Sequence, residues 1–426
     1  MPVLLRTLFL LLLSLPWMTA HANEFILSYW CGPPPGPDMN ARYAEVAECH
    51  FNYAMIPCNG STPEQTKAIL EACQKHGLKY ILYDARLMAK GPQDPAFTTN
   101  LDAVLKDYAG HPATGGYFLG DEPGAGAFPM LGAVNQYLLK HDPQHLPFIN
   151  LYPNYAPLWA LGTSNYEEHV EKYLDIVKPK LLSFDHYAIL DNGTERPEYF
   201  DNLEIIRRQA LKHNVPFGDI FLMTPHGSYP NPGEADLRWQ ANTALAYGAT
   251  ALLYFTYWTP NDGTTGFGNG IIDLKGNRTP HFEMAKKLNA EFLILGKTLI
   301  KLTSSAVYHT SPVPSGCKEL NTNSPIQVSK GGPLVIGLFH HEDGSSWAMV
   351  VNRSVHKPVT STLRFNEKIG GLRRLNPKDG RLASVKLRQH EVTVQLLAGE
   401  AALFKLMPSN TKRLHSPKAG AEMVRN

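Results

Sequence analysis

Two adjacent acidic residues are the sharpest chemical signal in the sequence. Asp121 and Glu122 end the apolar run YFLG and are followed directly by Pro123. Burying a carboxyl group at the end of an apolar strand raises its pKa towards the range that suits proton donation. Because side chains alternate along a strand, we expect Glu122 to face a site while Asp121 braces it. The alternative is that the pair caps a helix predicted to begin near Phe128.

Polar and aromatic residues end several other apolar runs. Asp185 is the preferred second carboxylate, although a buried structural hydrogen bond would also explain it. Carboxylates can supply the proton donor and the nucleophile or base for glycosidic bond cleavage, and aromatic faces stack on sugar rings. We therefore expect carbohydrate chemistry. The expected substrate-binding residues are Trp30, Asp84, Arg86, Asn150, Tyr152, His186, Tyr187, His226, Tyr257 and Trp258.

Some of these residues have equally plausible structural interpretations. Arg86 could bind an anionic sugar through its planar guanidinium, or it could form an ion pair with Asp84. A single histidine such as His226 is more often a hydrogen-bonding residue than a catalytic base. Trp30 and Trp258 are expected to shape the sugar-binding floor, with packing in the core as the alternative.

The sequence gives no reason to expect a cofactor or a nucleic-acid partner. No H-E-x-x-H, CxxC or regular histidine cluster is found among the 17 His, and no G-x-S-x-G is present. The net charge of +2 provides no basic excess for nucleic-acid binding. We expect a carbohydrate substrate, no metal and no organic cofactor.

The elements that must position these residues are short apolar strands alternating with amphipathic helices. Eight such units predict an α/β fold of the (β/α)8 TIM barrel type, whose active site forms at the C-terminal ends of the strands. A doubly wound open sheet is the rival, but CGPPPGPDMN after the first strand lacks G-x-G-x-x-G. The predicted strands are 25–30, 51–57, 79–85, 115–123, 147–153, 181–187, 219–226 and 251–258.

Segments outside the barrel have different compositions. Residues 1–22 have the charged start, apolar stretch and Ala20-His21-Ala22 ending of a signal peptide, with a retained membrane anchor as the alternative. We expect cleavage after Ala22, a secreted or periplasmic protein, and no membrane insertion afterwards. The barrel is assigned to 23–303, a C-terminal all-β domain, expected to be a β-sandwich, to 304–407, and a flexible tail to 408–426.

The barrel topology also predicts cysteine pairing. Cys31 and Cys58 follow neighbouring strands at one rim, whereas Cys49 and Cys73 lie near helix ends at the other. We expect disulfides Cys31–Cys58 and Cys49–Cys73, with Cys317 left free. The alternative is that the barrel cysteines are packed free thiols.

The barrel sequence resembles the clan A glycoside hydrolases. In that clan the acid/base Glu ends the fourth strand, often as N-E-P, which corresponds here to Asp121-Glu122-Pro123. Asp185-His186-Tyr187 is similar to the H-x-Y element of glycoside hydrolase family 5, and Trp258 matches an aromatic platform after the eighth strand. The helix KKLNAEFLILG followed by a β domain is similar to several exo-acting members.

One departure from the clan pattern affects the expected mechanism. The clan nucleophile is a Glu ending the seventh strand, where this sequence has His226, and the next acid, Glu234, is predicted to start a helix. The G-D-E setting also resembles family 20 hexosaminidases, in which Asp steadies a substrate acetamido nucleophile and Glu is the acid.

We expect an exported glycoside hydrolase that cleaves O-glycosidic bonds of a polysaccharide or oligosaccharide. Glu122 would be the general acid/base, Asp121 would orient it or the substrate, and Asp185 would be nucleophile or base. The alternatives are a non-catalytic carbohydrate-binding barrel and a polysaccharide lyase using Arg86 with His226 or Tyr187.

Overall fold

The computed structural model describes residues 24–88 and 91–409. The predicted signal peptide and residues 410–426 of the predicted tail lie outside the described residues. No helix in the described part of the chain is long and apolar enough to cross a membrane.

An eight-stranded parallel sheet forms the first part of the fold. Its strand order is β1-β8-β7-β6-β5-β4-β3-β2. The two ends of this order meet, since the Asn52 amide donates to the Leu27 carbonyl at 3.2 Å and Gly32 bridges to Pro57. Closure excludes the open doubly wound sheet and confirms the predicted TIM barrel. The strands are β1 Ile26–Tyr29, β2 Tyr53–Met55, β3 Lys79–Leu82, β4 Thr114–Asp121, β5 Leu146–Leu151, β6 Leu182–Asp185, β7 Phe217–Leu222 and β8 Ala251–Phe255.

Helices alternate with the strands and cover the barrel. They are α1 Met39–Glu48, α2 Pro63–Lys75, α3 Phe97–Tyr108, α4 Phe128–His141, α5 Leu158–Leu161, α6 Tyr166–Val177, α7 Tyr199–His213, α8 Glu234–Tyr247 and α9 Pro280–Leu299. Local sequence explains where they begin. At α2, the Thr62 hydroxyl accepts from the Gln65 amide and the Gln65 side chain accepts from the Thr62 amide, with Pro63 in the first turn.

Two antiparallel sheets form the C-terminal β domain. The larger sheet has the order β15-β14-β17-β12-β11-β9 and the smaller has the order β10-β13-β16. Side chains such as Ile336, Val350 and Leu363 form a separate buried core in this domain. The strands are β9 Leu302–His309, β10 Ile326–Lys330, β11 Leu334–His341, β12 Ser346–Asn352, β13 Val359–Phe365, β14 Ile369–Leu375, β15 Leu382–Val385, β16 Glu391–Leu396 and β17 Ala401–Pro408.

Helix α8 packs between the barrel strands and the β domain. It packs against β7 on one side and against β11 and β12 on the other, so it is buried almost all round. The Trp239 indole donates to the Arg353 carbonyl at 2.8 Å, and the Asn242 amide donates to the Gly399 carbonyl at 2.9 Å. The β domain therefore packs on the outside of the barrel.

Only one of the two predicted disulfides is present. Cys31 and Cys58 are bonded, with their Cα atoms 4.5 Å apart, which confirms that pairing. The prediction of Cys49–Cys73 is wrong, because both residues are buried free thiols. Cys317 is a partly buried free thiol, as predicted. Cys49 ends α1 with its Sγ 3.7 Å from the Phe282 carbonyl, so it faces α9 instead of α2.

Candidate active site

Strand β4 brings two carboxyl groups to the mouth of the barrel. Asp121 is the last residue of the strand, and Glu122 follows with φ of 47°, in the left-handed region. This turn interrupts the alternation of side chains, so Asp121 contacts Asn150 while Glu122 contacts Asp185, and both residues face the mouth. The expectation that only Glu122 would face the site is therefore wrong. The pair does not cap α4, which begins at Phe128 without a side-chain cap.

Asn150 at the end of β5 connects the carboxyl groups of two strands. Its Nδ2 donates to Asp121 Oδ1 at 3.1 Å and to Asp185 Oδ1 at 2.8 Å. The angle between the two N–H bonds of one amide places these acceptor oxygens about 5 Å apart. Ser183 on β6 donates to Asn150 Oδ1 at 3.3 Å, which fixes the orientation of the amide. The spacing between Asp121 and Asp185 is thus held by hydrogen bonds.

Glu122 and Asp185 form a close carboxyl pair. Asp185 is only 6% exposed, and burial together with the charges of Glu122 and Asp121 raises its pKa well above the ordinary value. Burial and the Asp121 charge raise the pKa of Glu122 to about 7, opposed by a hydrogen bond with Asp185. Such a contact requires a proton on one of the two groups. The pair therefore holds a proton at near-neutral pH.

Asp121 is the most accessible of these acids. Its side chain is exposed in the mouth, while the surrounding protein atoms reduce its hydration and raise its pKa to about 6. The hydrogen bond from Asn150 favours the ionised form and partly opposes this shift. Asp121 consequently ionises before the Glu122–Asp185 pair loses its proton.

One side of the mouth is aromatic. The ring of Tyr187 lies 5.6 Å from that of His226, 5.3 Å from Tyr229 and 5.2 Å from Phe255, measured between centroids. The charges of Asp185, Asp121 and Glu122 contribute to the raised pKa of Tyr187 after the larger effect of burial. His226 is half-buried, with Nδ1 2.8 Å from the Thr224 carbonyl. These rings adjoin the carboxyl cluster.

Three other predicted aromatic residues are partly accessible. Tyr152 is half-buried, and burial followed by the charges of the three acids raises its pKa, which places it near them. Trp30 is half-buried and meets Phe118 in an edge-to-face arrangement, with ring centroids 5.5 Å apart. Trp258 is also half-buried, and the Arg42 guanidinium lies 5.3 Å from its ring centroid. Asn150 is 3% exposed, and its side-chain amide donates hydrogen bonds to Asp121 and Asp185.

Two predicted substrate-binding residues belong to the core. The His186 side chain points away from the Asp185 side chain and packs against Tyr155 and Tyr199, because side chains alternate along a strand. His186 is therefore 0% exposed, and burial lowers its pKa to about 3. Tyr257 is 1% exposed and stacks on Tyr29 with ring centroids 4.6 Å apart. Neither residue can contact a sugar in this structure, so both predictions are wrong.

Asp84 and Arg86 form the structural pair that was the alternative interpretation. Arg86 donates to Asp84 through Nε at 2.9 Å and Nη2 at 2.7 Å, and also to Asp107 at 2.8 Å. Asp84 accepts a further bond from the Tyr108 hydroxyl at 3.0 Å. This network ties the end of β3 to α3. The prediction that Arg86 and Asp84 bind substrate is corrected accordingly, because these groups already satisfy each other.

Sequence reasoning missed a second group of residues beside the mouth. Tyr155 follows β5, Arg196 precedes α7, and Tyr229 follows β7. The Arg196 guanidinium lies 4.0 Å from the Tyr155 ring centroid and donates to the Tyr229 hydroxyl at 2.9 Å. All three occur in loops at the C-terminal ends of strands, and that position was the one signal that could have identified them.

The remaining acid considered near the seventh strand is not in the site. Glu234 begins α8, as predicted, and forms ion pairs with Arg238 at 2.9 Å and Lys287 at 2.7 Å. Within residues 24–88 and 91–409, no group of three or more His, Cys, Asp or Glu side chains is arranged to hold a metal ion.

Comparisons with known proteins show similarity of fold alone. No family model matches the sequence, and no curated protein matches it. A β-galactosidase from Bacillus circulans sp. alkalophilus has a similar structure, with a TM-score of 0.58 and 10% identity over 90% of this chain and 99% of that one. A family 42 β-galactosidase from G. stearothermophilus has a TM-score of 0.56 and 7% identity, covering 90% and 98%.

A third similar structure is a family 27 β-L-arabinopyranosidase from Geobacillus stearothermophilus. Its TM-score is 0.52 and its identity 12%, covering 93% of this chain and 98% of that one. At these identities the similarity concerns the fold, including the domain that follows the barrel.

Proposed function

We propose that this protein is a glycoside hydrolase that cleaves an O-glycosidic bond of a polysaccharide or oligosaccharide. The observation that carries the proposal is the arrangement of Asp121, Glu122 and Asp185 around Asn150. It combines an exposed acid that ionises first with a carboxyl pair that retains a proton about 5 Å away. Similar structures described as galactosidases and an arabinopyranosidase support this choice of reaction.

The accessible member of the proton-holding pair is Glu122. In the proposed reaction it donates its proton to the departing glycosidic oxygen. Asp185 lies beneath it and acts as a positioning residue that keeps the proton in the pair. Its burial favours this role over the nucleophile or base role expected from the sequence, since only 6% of it is exposed.

Asp121 is then the carboxylate that meets the sugar. It is exposed, it ionises at lower pH than Glu122, and Asn150 holds it in place. Retaining enzymes use their second carboxylate as a nucleophile, whereas inverting enzymes use it to activate a water molecule. Because Asp121 is exposed and anchored by Asn150, we assign it as the nucleophile of a retaining reaction. Glu122 would accept a proton from the water that releases the sugar.

The half-buried rings around the acids supply the sugar-binding surface. Tyr187, Tyr152 and Trp30 present aromatic area beside polar atoms, the combination that binds the C–H faces and hydroxyl groups of a sugar. Export fits the Cys31–Cys58 bond, because disulfides persist in oxidising compartments. The proposed substrate is thus an extracellular or periplasmic glycan.

A screen of purified protein against neutral and acidic glycans tests this function. We expect new reducing ends from at least one glycan class, with retained anomeric configuration in the first product seen by NMR. Asp121→Asn should abolish release while leaving the circular dichroism unchanged. An unsaturated product absorbing in the ultraviolet would indicate a lyase, and binding without cleavage would indicate a carbohydrate-binding barrel; either result refutes the proposal.

A further inference from the structure

Arg196 is a cation beside the site that lacks an acidic partner. It lies in the loop between β6 and α7, and none of the ion pairs among the described residues includes it. Its side chain is half-buried, so solvent still reaches it. The arginines that lie in the barrel helices are paired with Asp or Glu, as Arg207 is with Glu204 at 2.7 Å. An arginine held without a counter-ion retains its charge for a ligand.

The orientation of the Arg196 side chain is fixed by neutral groups. Its Nε donates to the Tyr187 carbonyl at 3.2 Å, and its Nη2 donates to the Tyr229 hydroxyl at 2.9 Å. Its guanidinium carbon lies 4.0 Å from the Tyr155 ring centroid and 5.5 Å from that of Tyr229. Stacking and hydrogen bonding therefore hold the guanidinium in place without neutralising it.

One edge of this guanidinium remains available. Nη1 of Arg196 donates no hydrogen bond to any described residue, and it is not among the buried atoms that lack a partner. An unpaired nitrogen that is not buried is open to solvent. It can donate to an oxygen of an incoming molecule, with the positive charge strengthening the bond.

The position of Arg196 relates it to the carboxyl cluster. The Tyr187 carbonyl that it binds is two residues beyond Asp185, a span of at most about 7 Å along the chain. The Arg196 guanidinium stacks on the Tyr155 ring. Burial raises the pKa of Tyr155, and the Asp185 charge is the next largest cause of that increase. The cation is therefore adjacent to the site and separated from the acids by tyrosine rings.

We propose that Arg196 is a specificity residue that binds an anionic substituent, a carboxylate or a sulfate, on the glycan substrate. This inference rests on the proposed function and extends it by naming the substrate class. The carboxyl cluster would repel an anion placed directly against it, so the anionic group must lie on the Arg196 side. The role once considered for Arg86 thus falls to a different arginine, since Arg86 is already paired with Asp84 and Asp107.

Binding measurements test this inference separately from catalysis. The Glu122→Gln background keeps glycans intact, and isothermal titration compares uronate-containing, sulfated and neutral oligosaccharides of equal length. We expect tighter binding of one anionic class than of the neutral one. Arg196→Met, which preserves bulk but removes the charge, should weaken anionic binding roughly 10- to 100-fold and leave neutral binding within about twofold. The preferred anion distinguishes a carboxylate site from a sulfate site.

A matched control is Arg208→Met, which removes an exposed arginine of α7 that is paired with Glu167 of α6. It should leave all affinities unchanged. Equal binding of neutral and anionic oligosaccharides, or an equal loss for both in Arg196→Met, would overturn the inference. Cleavage of neutral glycans by the wild-type protein in that case would leave the proposed hydrolase function standing. Anion-selective binding without cleavage of any glycan would support the role of Arg196 and refute the proposed hydrolase function.

Discussion

Replacing Glu122 with glutamine tests the assignment of the proton donor. Glutamine has the same size and can still accept a hydrogen bond from Asp185, but it cannot deliver a proton. Loss of a general acid lowers turnover by about 10²- to 10⁴-fold, or about 3–5 kcal/mol in the activation barrier. Asp121, the proposed nucleophile, keeps its bond from Asn150 in this variant. The loss should therefore depend on how much the leaving group needs protonation.

The assay compares a natural oligosaccharide with an aryl glycoside of the same sugar that has an acidic phenol as leaving group. We expect the full loss in kcat for the oligosaccharide and less than about a tenfold loss in glycosylation of the enzyme by the aryl glycoside. Glu291→Gln is a suitable control, because burial also raises the pKa of Glu291 but that residue lies on α9, outside the mouth. Near-wild-type turnover of the oligosaccharide, or equal losses on both substrates, would refute the assignment.

Three further predictions concern pH and stability. Activity should follow a bell-shaped pH profile, rising as Asp121 ionises near pH 6 and falling as Glu122 loses its proton near pH 7. Burial raises the pKa of Asp219, whose carboxylate oxygens have no partner among the described residues. It therefore stabilises the fold fully below its unfolded pKa of about 3.9, and this contribution is lost as pH rises through the folded pKa. Asp219→Asn should consequently gain stability relative to wild type as pH increases, measured by urea unfolding. Replacing Cys31 and Cys58 with serine opens a covalent loop of 27 residues and should lower the free energy of unfolding by about 3–4 kcal/mol.

Each of these results has a contradicting outcome. A single-limbed pH profile between pH 5 and 8 would show that the two acids do not titrate in separate roles. A stability difference for Asp219→Asn that stays constant from pH 4 to 8 would mean that Asp219 is ionised in the folded protein. An unchanged unfolding midpoint in the double serine variant, compared with oxidised wild type in the absence of reductant, would mean that the bond does not constrain the chain.

The sequence was sufficient to predict the barrel because its signals are local and repeated. Each strand is a short apolar run, and helix starts such as Thr62-Pro63 and Glu234 carry their own capping residues or acidic first turn. The disulfide Cys31–Cys58 followed from the same topology. Cys49 and Cys73 were misassigned because helix rotation decides which way a side chain at a helix end points, and strand order alone does not show it.

The site was less predictable than the fold. The acids Asp121, Glu122 and Asp185 were found because each ends an apolar strand. Their relative roles depend on two features that periodicity does not reveal, namely the left-handed turn at Glu122 and the burial of Asp185. Arg196 was missed because it lies far along a loop, where only the folded chain shows that it has no acidic partner.

Cleavage in water enriched with heavy oxygen tests the central claim most directly. Hydrolysis through Asp121 and Glu122 must place one oxygen atom from solvent at the newly formed reducing end of the sugar. We predict that mass spectrometry of the wild-type products shows this label there and nowhere else, and that Asp121→Asn gives no labelled product. Products without the solvent label, or the same labelled products from Asp121→Asn at wild-type rate, would contradict the account.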